Sequence, residues 1–127
     1  MSYATIKAGF VTVLTDNGYK EMENLMEVED APASFNHLHY ILKVEGFPVE
    51  LLTDDQVIGS HLFRLEVMYQ NNDTTQRDTN YALFLILAKA VSAVSNFLGF
   101  REDASFLDQD DGYHTVGTLV FDAGAEC

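Results

Sequence analysis

The sequence has no tryptophan, a single cysteine and two prolines in 127 residues, and only seven lysines and arginines against twenty aspartates and glutamates. Each shortage excludes something. One cysteine, Cys127, cannot close an intramolecular disulfide, and such sparing use fits a reducing compartment. The shortage of base leaves a formal net charge of -13 and a pI near 4.3, so the chain as a whole repels a phosphate backbone. The seven cations, Lys7, Lys20, Lys43, Arg64, Arg77, Lys89 and Arg101, are scattered singly, with none of the basic, aromatic-interleaved stripes that nucleic-acid readers use. Long apolar runs are also missing. The greasiest stretch, Tyr81 to Ala88, is interrupted by Lys89 and followed by Ser92, Ser95 and Asn96, too short for a bilayer span of about 20 residues. The opening MSYATIKAGF lacks the basic-then-apolar layout of a secretory signal. No GxSxG elbow, phosphate-cradling glycine loop, CxxC pair or HExxH helix occurs. The expectation is a protein without membrane contact, without cofactor and without enzymatic activity.

What is present suffices for a core. With 47% hydrophobic and 12% aromatic residues, residues 1–127 are expected to fold as one domain without a metal or a disulfide. The stretch from Asp73 to Gly99 organises it: Phe84, Leu87, Val91, Val94 and Leu98 recur at helical spacing. Thr74 or Thr75 is the expected N-cap and Gly99 the C-terminal stop. Tyr81, Leu83, Leu85, Ile86, Ala88 and Ala90 widen the apolar surface beyond one stripe, so this helix is expected to touch a second partner besides its own sheet.

Around that helix the chain alternates between two periods. Ser2 to Asn17 places Ile6, Phe10, Val13 and Leu14 on one side, with Gly18 as a stop. Its β-branched residues leave a strand from Phe10 to Leu14 as the competing reading. Glu21 to Asp30 is acidic, and Ala31 to Asn36 looks irregular; together they read as a solvated connector. His37 to Glu45 has period two, with Leu38, Tyr40, Leu42 and Val44 on one face and only Ile41 breaking the alternation. Phe47 to Gly59 is a long connection. His61 to Gln70 is the next strand, presenting Phe63, Leu65, Val67 and Tyr69 to one side. Ser105 to Leu107 can form a short strand, and Tyr113 to Ala123 is the last, with Tyr113, Leu119 and Phe121 opposite His114, Val116, Thr118 and Val120. The fold class expected is α+β: a single mixed or antiparallel β-sheet packed by a long amphipathic helix and a shorter N-terminal helix.

Three groups of residues invite a chemical reading. His37 and His39 share one strand face and His61 begins the strand expected to pair with it, so the three imidazoles could approach as a metal site requires; with no clear fourth ligand, surface histidines are the simpler account. Asp108-Gln109-Asp110-Asp111-Gly112 resembles a calcium loop, but the glycine falls one place early and Leu119 stands where the bidentate Glu belongs, so an acidic turn is the simpler account. Asp54 and Asp55 could serve acid–base chemistry only if burial shifted one of them; in a solvated loop they are a charged face.

Taken together, the helix SYATIKAGFVTVLTDNG, the strand pair HLHYILKVEG and SHLFRLEVMYQ around a long loop, the helix DTNYALFLILAKAVSAVSNFLGF and the closing strand HTVGTLVFDAG resemble the tail terminator family of long-tailed bacteriophages, also described as tail completion or neck proteins. The resemblance covers nearly the whole chain. It implies a structural virion protein, assembled in the host cytoplasm, whose subunits form a hexameric ring. Such a ring caps the tail tube protein, stops its polymerisation and meets the head connector or head-completion protein. It also implies a negatively lined passage through which DNA slides without specific binding. On that reading Glu50, Asp54, Asp55, Asp108, Asp110 and Asp111 are lumen candidates, and the apolar cluster Val49, Leu51 and Leu52 suits a subunit or tube contact. The alternative is a small α+β enzyme or ligand-binding domain with its site near His37, His39 and His61.

Overall fold

The first helix, α1 (Tyr3–Asp16), forms because Ile6, Phe10 and Leu14 recur at four-residue intervals and all three are fully buried. The structure is a computed structural model and describes residues 3–22, 37–46, 60–109 and 112–124. Within α1 the Thr12 hydroxyl donates to the Ala8 carbonyl, so a residue that weakens helices is accommodated locally. The helix ends as its glycine dictates. Gly18 adopts φ 89°, its N–H donates to Thr15 and the Tyr19 N–H reaches back to Leu14, while Leu14 and Tyr19 are both buried. That is a Schellman stop with its apolar contact, and it decides the helix-versus-strand question at Phe10 to Leu14 in favour of helix.

The chain then runs directly into β1 (Lys20–Glu21), which pairs in parallel with the start of β2 (His39–Gly46). Leu38, just before β2, holds a left-handed φ of 59°, uncommon for a branched residue. Its amide donates to Met68 and its carbonyl accepts from Lys20, so both neighbouring strands fix that conformation. β3 (His61–Gln70) pairs antiparallel with β2 and, along its full length, with β6 (His114–Ala123). On its other side β6 receives β4 (Phe97–Phe100) and β5 (Ser105–Asp108), one after the other. Among the described residues the sheet thus has six strands in the order β1-β2-β3-β6-β4, with β5 beside β6. All pairings except β1 with β2 are antiparallel. The fold is α+β.

The period-two alternation read from the sequence sorts the two faces. His61, Phe63, Leu65, Val67 and Tyr69 of β3 face the same way as their partners Ala123, Phe121, Leu119, Gly117 and Thr115 of β6, and all ten are buried. Both described helices cover this face. Phe10 of α1 lies 4.9 Å from Phe121 and 5.9 Å from Phe63, and Phe84 of the second helix, α2 (Thr74–Ser92), stacks on Phe106 at 5.6 Å. Each fully buried Phe, Leu or Ile contributes about 1.5–3 kcal/mol, so the ring layer between helices and sheet dominates the stability. The opposite face carries ion pairs, Lys43–Glu66, Arg64–Glu45 and Arg101–Asp122, and no described helix covers it.

Two details of α2 differ from expectation. Its N-cap is Asp73, whose carboxylate accepts from the Gln76 N–H at 2.8 Å while Gln76 returns the favour to the Asn72 N–H. Aspartate outranks threonine as a cap, which is why Thr74 and Thr75 lie inside the helix instead. The helix also stops at Ser92, not Gly99. Ser92, Ser95 and Asn96 are poor helix formers, and Asn96 is held from outside: its side chain donates to the Gly124 carbonyl and its own carbonyl accepts from the Gly124 N–H. That docking turns Phe97 to Phe100 into β4, with Gly99 beyond a bulge at Leu98. Among the described residues no helix is long and apolar enough to cross a membrane.

Candidate functional site

The three histidines do not converge. His39 pairs with Met68 at one end of β3, whereas His61 opens the other end, seven residues away or roughly 23 Å along an extended strand. His61 is buried against Tyr3, 5.5 Å between ring centroids, and Phe63; that burial lowers its basicity. The neighbour His37 does have is His114, which sequence spacing gives no reason to connect. His37 accepts the Gln70 N–H on Nδ1 at 3.0 Å, and its carbonyl receives Nδ1–H of His39 at 2.9 Å. Burial first, then the nearby imidazoles of His39 and His114, push the His37 ring below its ordinary pKa. Among the described residues no group of His, Cys, Asp and Glu is arranged to hold a metal ion. His37 and His39 splice backbone ends together, and His61 packs among rings.

A second polar feature lies at the N-terminus of α2. Asn71, Asn72, Asp73, Thr74, Arg77, Asp108, Gly112 and His114 line an open cleft of about 240 Å³. Arg77 organises it. Its Nε donates to Asp108 at 2.9 Å, its guanidinium lies 5.2 Å from the Phe106 ring, and one amino group reaches the Phe106 carbonyl at 3.4 Å. The Arg77 hydrogen bond, with a second from the Thr115 hydroxyl, holds the Asp108 carboxyl below the usual carboxylate range. Arg77 therefore closes the outer edge of β5, an arrangement that discourages stray strand pairing. Asp108, a lumen candidate by sequence, is an exposed β5 residue already paired. Gln109 and Gly112, the latter at φ 75°, flank the turn to β6 and are joined by a hydrogen bond from the Gly112 N–H to the Gln109 carbonyl; Asp110 and Asp111 of the expected acidic turn lie outside the described residues.

Deeper in, Tyr19 and Tyr69 share a buried hydroxyl–hydroxyl hydrogen bond of 2.7 Å. Burial raises both phenols above the ordinary tyrosine value, Tyr69 the more strongly. Both side chains are buried, so they tie the α1 exit to the sheet and offer no reactive group to solvent.

The strongest functional feature is apolar surface. On α2, Tyr81, Leu83, Leu85 and Ile86 are 45%, 37%, 51% and 58% exposed, while Asn80, Phe84, Leu87 and Val91 on the inner side are buried. Along the β4–β5 edge of the sheet, Leu98, Phe100 and Leu107 are exposed as well. Tyr81 leans on Phe106 at 5.2 Å, which joins the helix flank to that edge. Clustered exposure of large apolar side chains on one element marks a binding surface. The interface candidates Val49, Leu51 and Leu52, and the acidic candidates Glu50, Asp54, Asp55, Asp110 and Asp111, lie outside the described residues. No protein-family model and no curated protein matches this sequence, so the function has to be read from the residues and their placement.

Proposed function

We propose that this chain is a structural component of a phage virion, a tail terminator whose copies form a ring at the end of the tail tube and join it to the head connector. The observation that carries the reading is the outward apolar side of α2: four half-exposed large side chains on a chain of net charge -13. A charged monomer gains nothing from such a surface, whereas a subunit that must be held by neighbours requires it. The succession of helix, paired long strands, long helix and closing strand supports the family resemblance noted from the sequence. The acidic excess fits a conduit, because carboxylates lining a hole let DNA pass without the counterion-releasing contacts that would retain it. The reading assigns no catalysis to the chain and uses no cofactor.

Electron microscopy and mass photometry of the purified protein test this directly. Rings of uniform copy number, and binding of the protein to the ends of purified tail tubes, are the expected results. A strict monomer at all concentrations that also ignores tube ends would remove the proposal.

A further inference from the structure

The turn that opens β2 is held by two imidazoles, and one of them can hold it only while it lacks a second proton. The Gln70 N–H donates to Nδ1 of His37 at 3.0 Å, so that nitrogen presents a lone pair and the ring proton sits on Nε2. His39 differs. Its Nδ1 lies 2.9 Å from the His37 carbonyl, which can only accept, so a proton added to the far nitrogen of His39 leaves that bond intact. A proton added to His37 sets an N–H against an N–H. Gln70 cannot step aside, because the Asn80 amide holds its carbonyl at 2.8 Å and its register is fixed against His114. His37 has to leave.

The surroundings offer a charged His37 no compensation. From β2 the ring is influenced by His39 and from β6 by His114, while β3 contributes the buried Tyr69, 6.4 Å between ring centroids and bonded to Tyr19 of the α1 exit. Beside the turn, β1 carries exposed Lys20 and Glu21. Around the cleft that His114 lines, Asp73 and Asp108 accompany Arg77. Among the described residues no carboxylate forms an ion pair with His37. Burial, then His39 and His114, hold the ring below its ordinary pKa, so the bond to Gln70 is made at neutral pH and is lost as pH falls below about 6.5.

From this donor–acceptor geometry we infer that His37 is a proton-operated latch: neutral, it ties the entry of β2 to the end of β3; protonated, it releases residues 37–38 and, with them, β1. The release spreads because the turn holds more than a ring. Leu38, kept at φ 59°, donates to Met68 and accepts from the N–H of Lys20, the first amide of β1. Once His37 swings out, that left-handed conformation loses part of what imposes it, and the two-residue β1 loses its anchor. The β2 edge that β1 covers then stands bare. Mild acid therefore changes which backbone groups the sheet presents at this border, and it does so whether or not the chain forms rings.

NMR on the full chain tests this, with amide exchange corrected for the intrinsic rate at each pH. Between about pH 7.5 and about pH 5, protection of the Gln70, Leu38 and Lys20 amides should fall about tenfold further than that of Leu65 in the middle of β3. Long-range proton–nitrogen spectra should show His37 with its proton on Nε2 at the higher pH and both nitrogens protonated at the lower. His37→Asn supplies a carboxamide oxygen that accepts at either pH, so it should keep Gln70 protected in acid. His37→Phe keeps a ring against Tyr69 but no acceptor, and should leave Gln70 poorly protected at both. A wild-type Gln70 amide as protected at the lower pH as at the higher overturns the inference. So does a loss shared equally by Leu65, which is global unfolding, or one that persists undiminished in His37→Asn.

Discussion

Gly117 has an unusual job for a residue in the middle of a sheet. A Cβ there would come within 2.6 Å of two carbons of the Phe84 ring, far inside contact distance. The ring cannot easily yield, because Phe84 is buried, stacks on Phe106 at 5.6 Å and meets Tyr69 edge-on at 6.3 Å. Gly117→Ala should therefore force α2 and β6 apart or push Phe84 off its rotamer, at a cost of about 1–3 kcal/mol for an overpacked core. The substitution also restricts the unfolded chain, which returns about 0.4–1 kcal/mol. The net expectation is a loss of about 1–2 kcal/mol, read as a lowered urea midpoint at unchanged slope and a thermal midpoint lower by about 3–8 °C. The clash has a named partner, so the penalty should shrink when Phe84→Leu accompanies it, with a coupling of about 1 kcal/mol in a double-mutant cycle. If Gly117→Ala proved as stable as the parent, or its penalty persisted undiminished beside Phe84→Leu, the packing argument for this glycine would be wrong.

Other substitutions probe single contacts. Asp73→Ala removes the α2 cap and should cost about 1 kcal/mol in urea unfolding, with Asp73→Ser recovering most of it. Tyr19→Phe strands the buried Tyr69 hydroxyl and should cost about 1–3 kcal/mol, whereas Tyr19→Phe with Tyr69→Phe should cost less than Tyr19→Phe alone; a larger loss in the double variant would count against the shared bond. Both phenols are raised in the folded state, so the unfolded chain loses its protons first. Their contribution is complete below about pH 10 and declines as pH rises beyond it, and the double phenylalanine variant should flatten that decline. His37 and His61 are shifted the other way. The unfolded chain binds protons first as pH falls, so stability should be full above about pH 6.5 and fall below it. A urea midpoint unchanged between pH 7.5 and 5.5 would sink that account.

Most of the architecture is legible because it is written in periodicity. His61 to Gln70 alternates except at Leu62 and Met68, and the strand occupies those residues; Phe84, Leu87 and Val91 share one helical side and are all buried. What escaped is written in long-range contacts. Lys20 and Glu21 become a strand only because β2 lies alongside them, and two residues have no period. Phe97 to Phe100 reads as helix until Gly124 docks on Asn96. The same holds for the sites. The extra apolar residues of α2 announced an outward surface, since a helix facing one sheet has no use for Leu85 and Ile86. The placement of His37 beside His114, and of His61 a strand's length away, follows from the pairing register alone.

The order in which the strands are made has a consequence for synthesis. Three strands, β3, β4 and β5, hydrogen-bond to β6, and all three precede it in the chain. A nascent polypeptide emerging from the ribosome up to residue 109 holds β1, β2 and β3 with nothing beyond β3, and β4 and β5 with no template at all. Cooperative folding must wait for the His114–Ala123 segment to clear the exit tunnel, so translational pausing before it would lengthen the time the greasy strands spend unprotected.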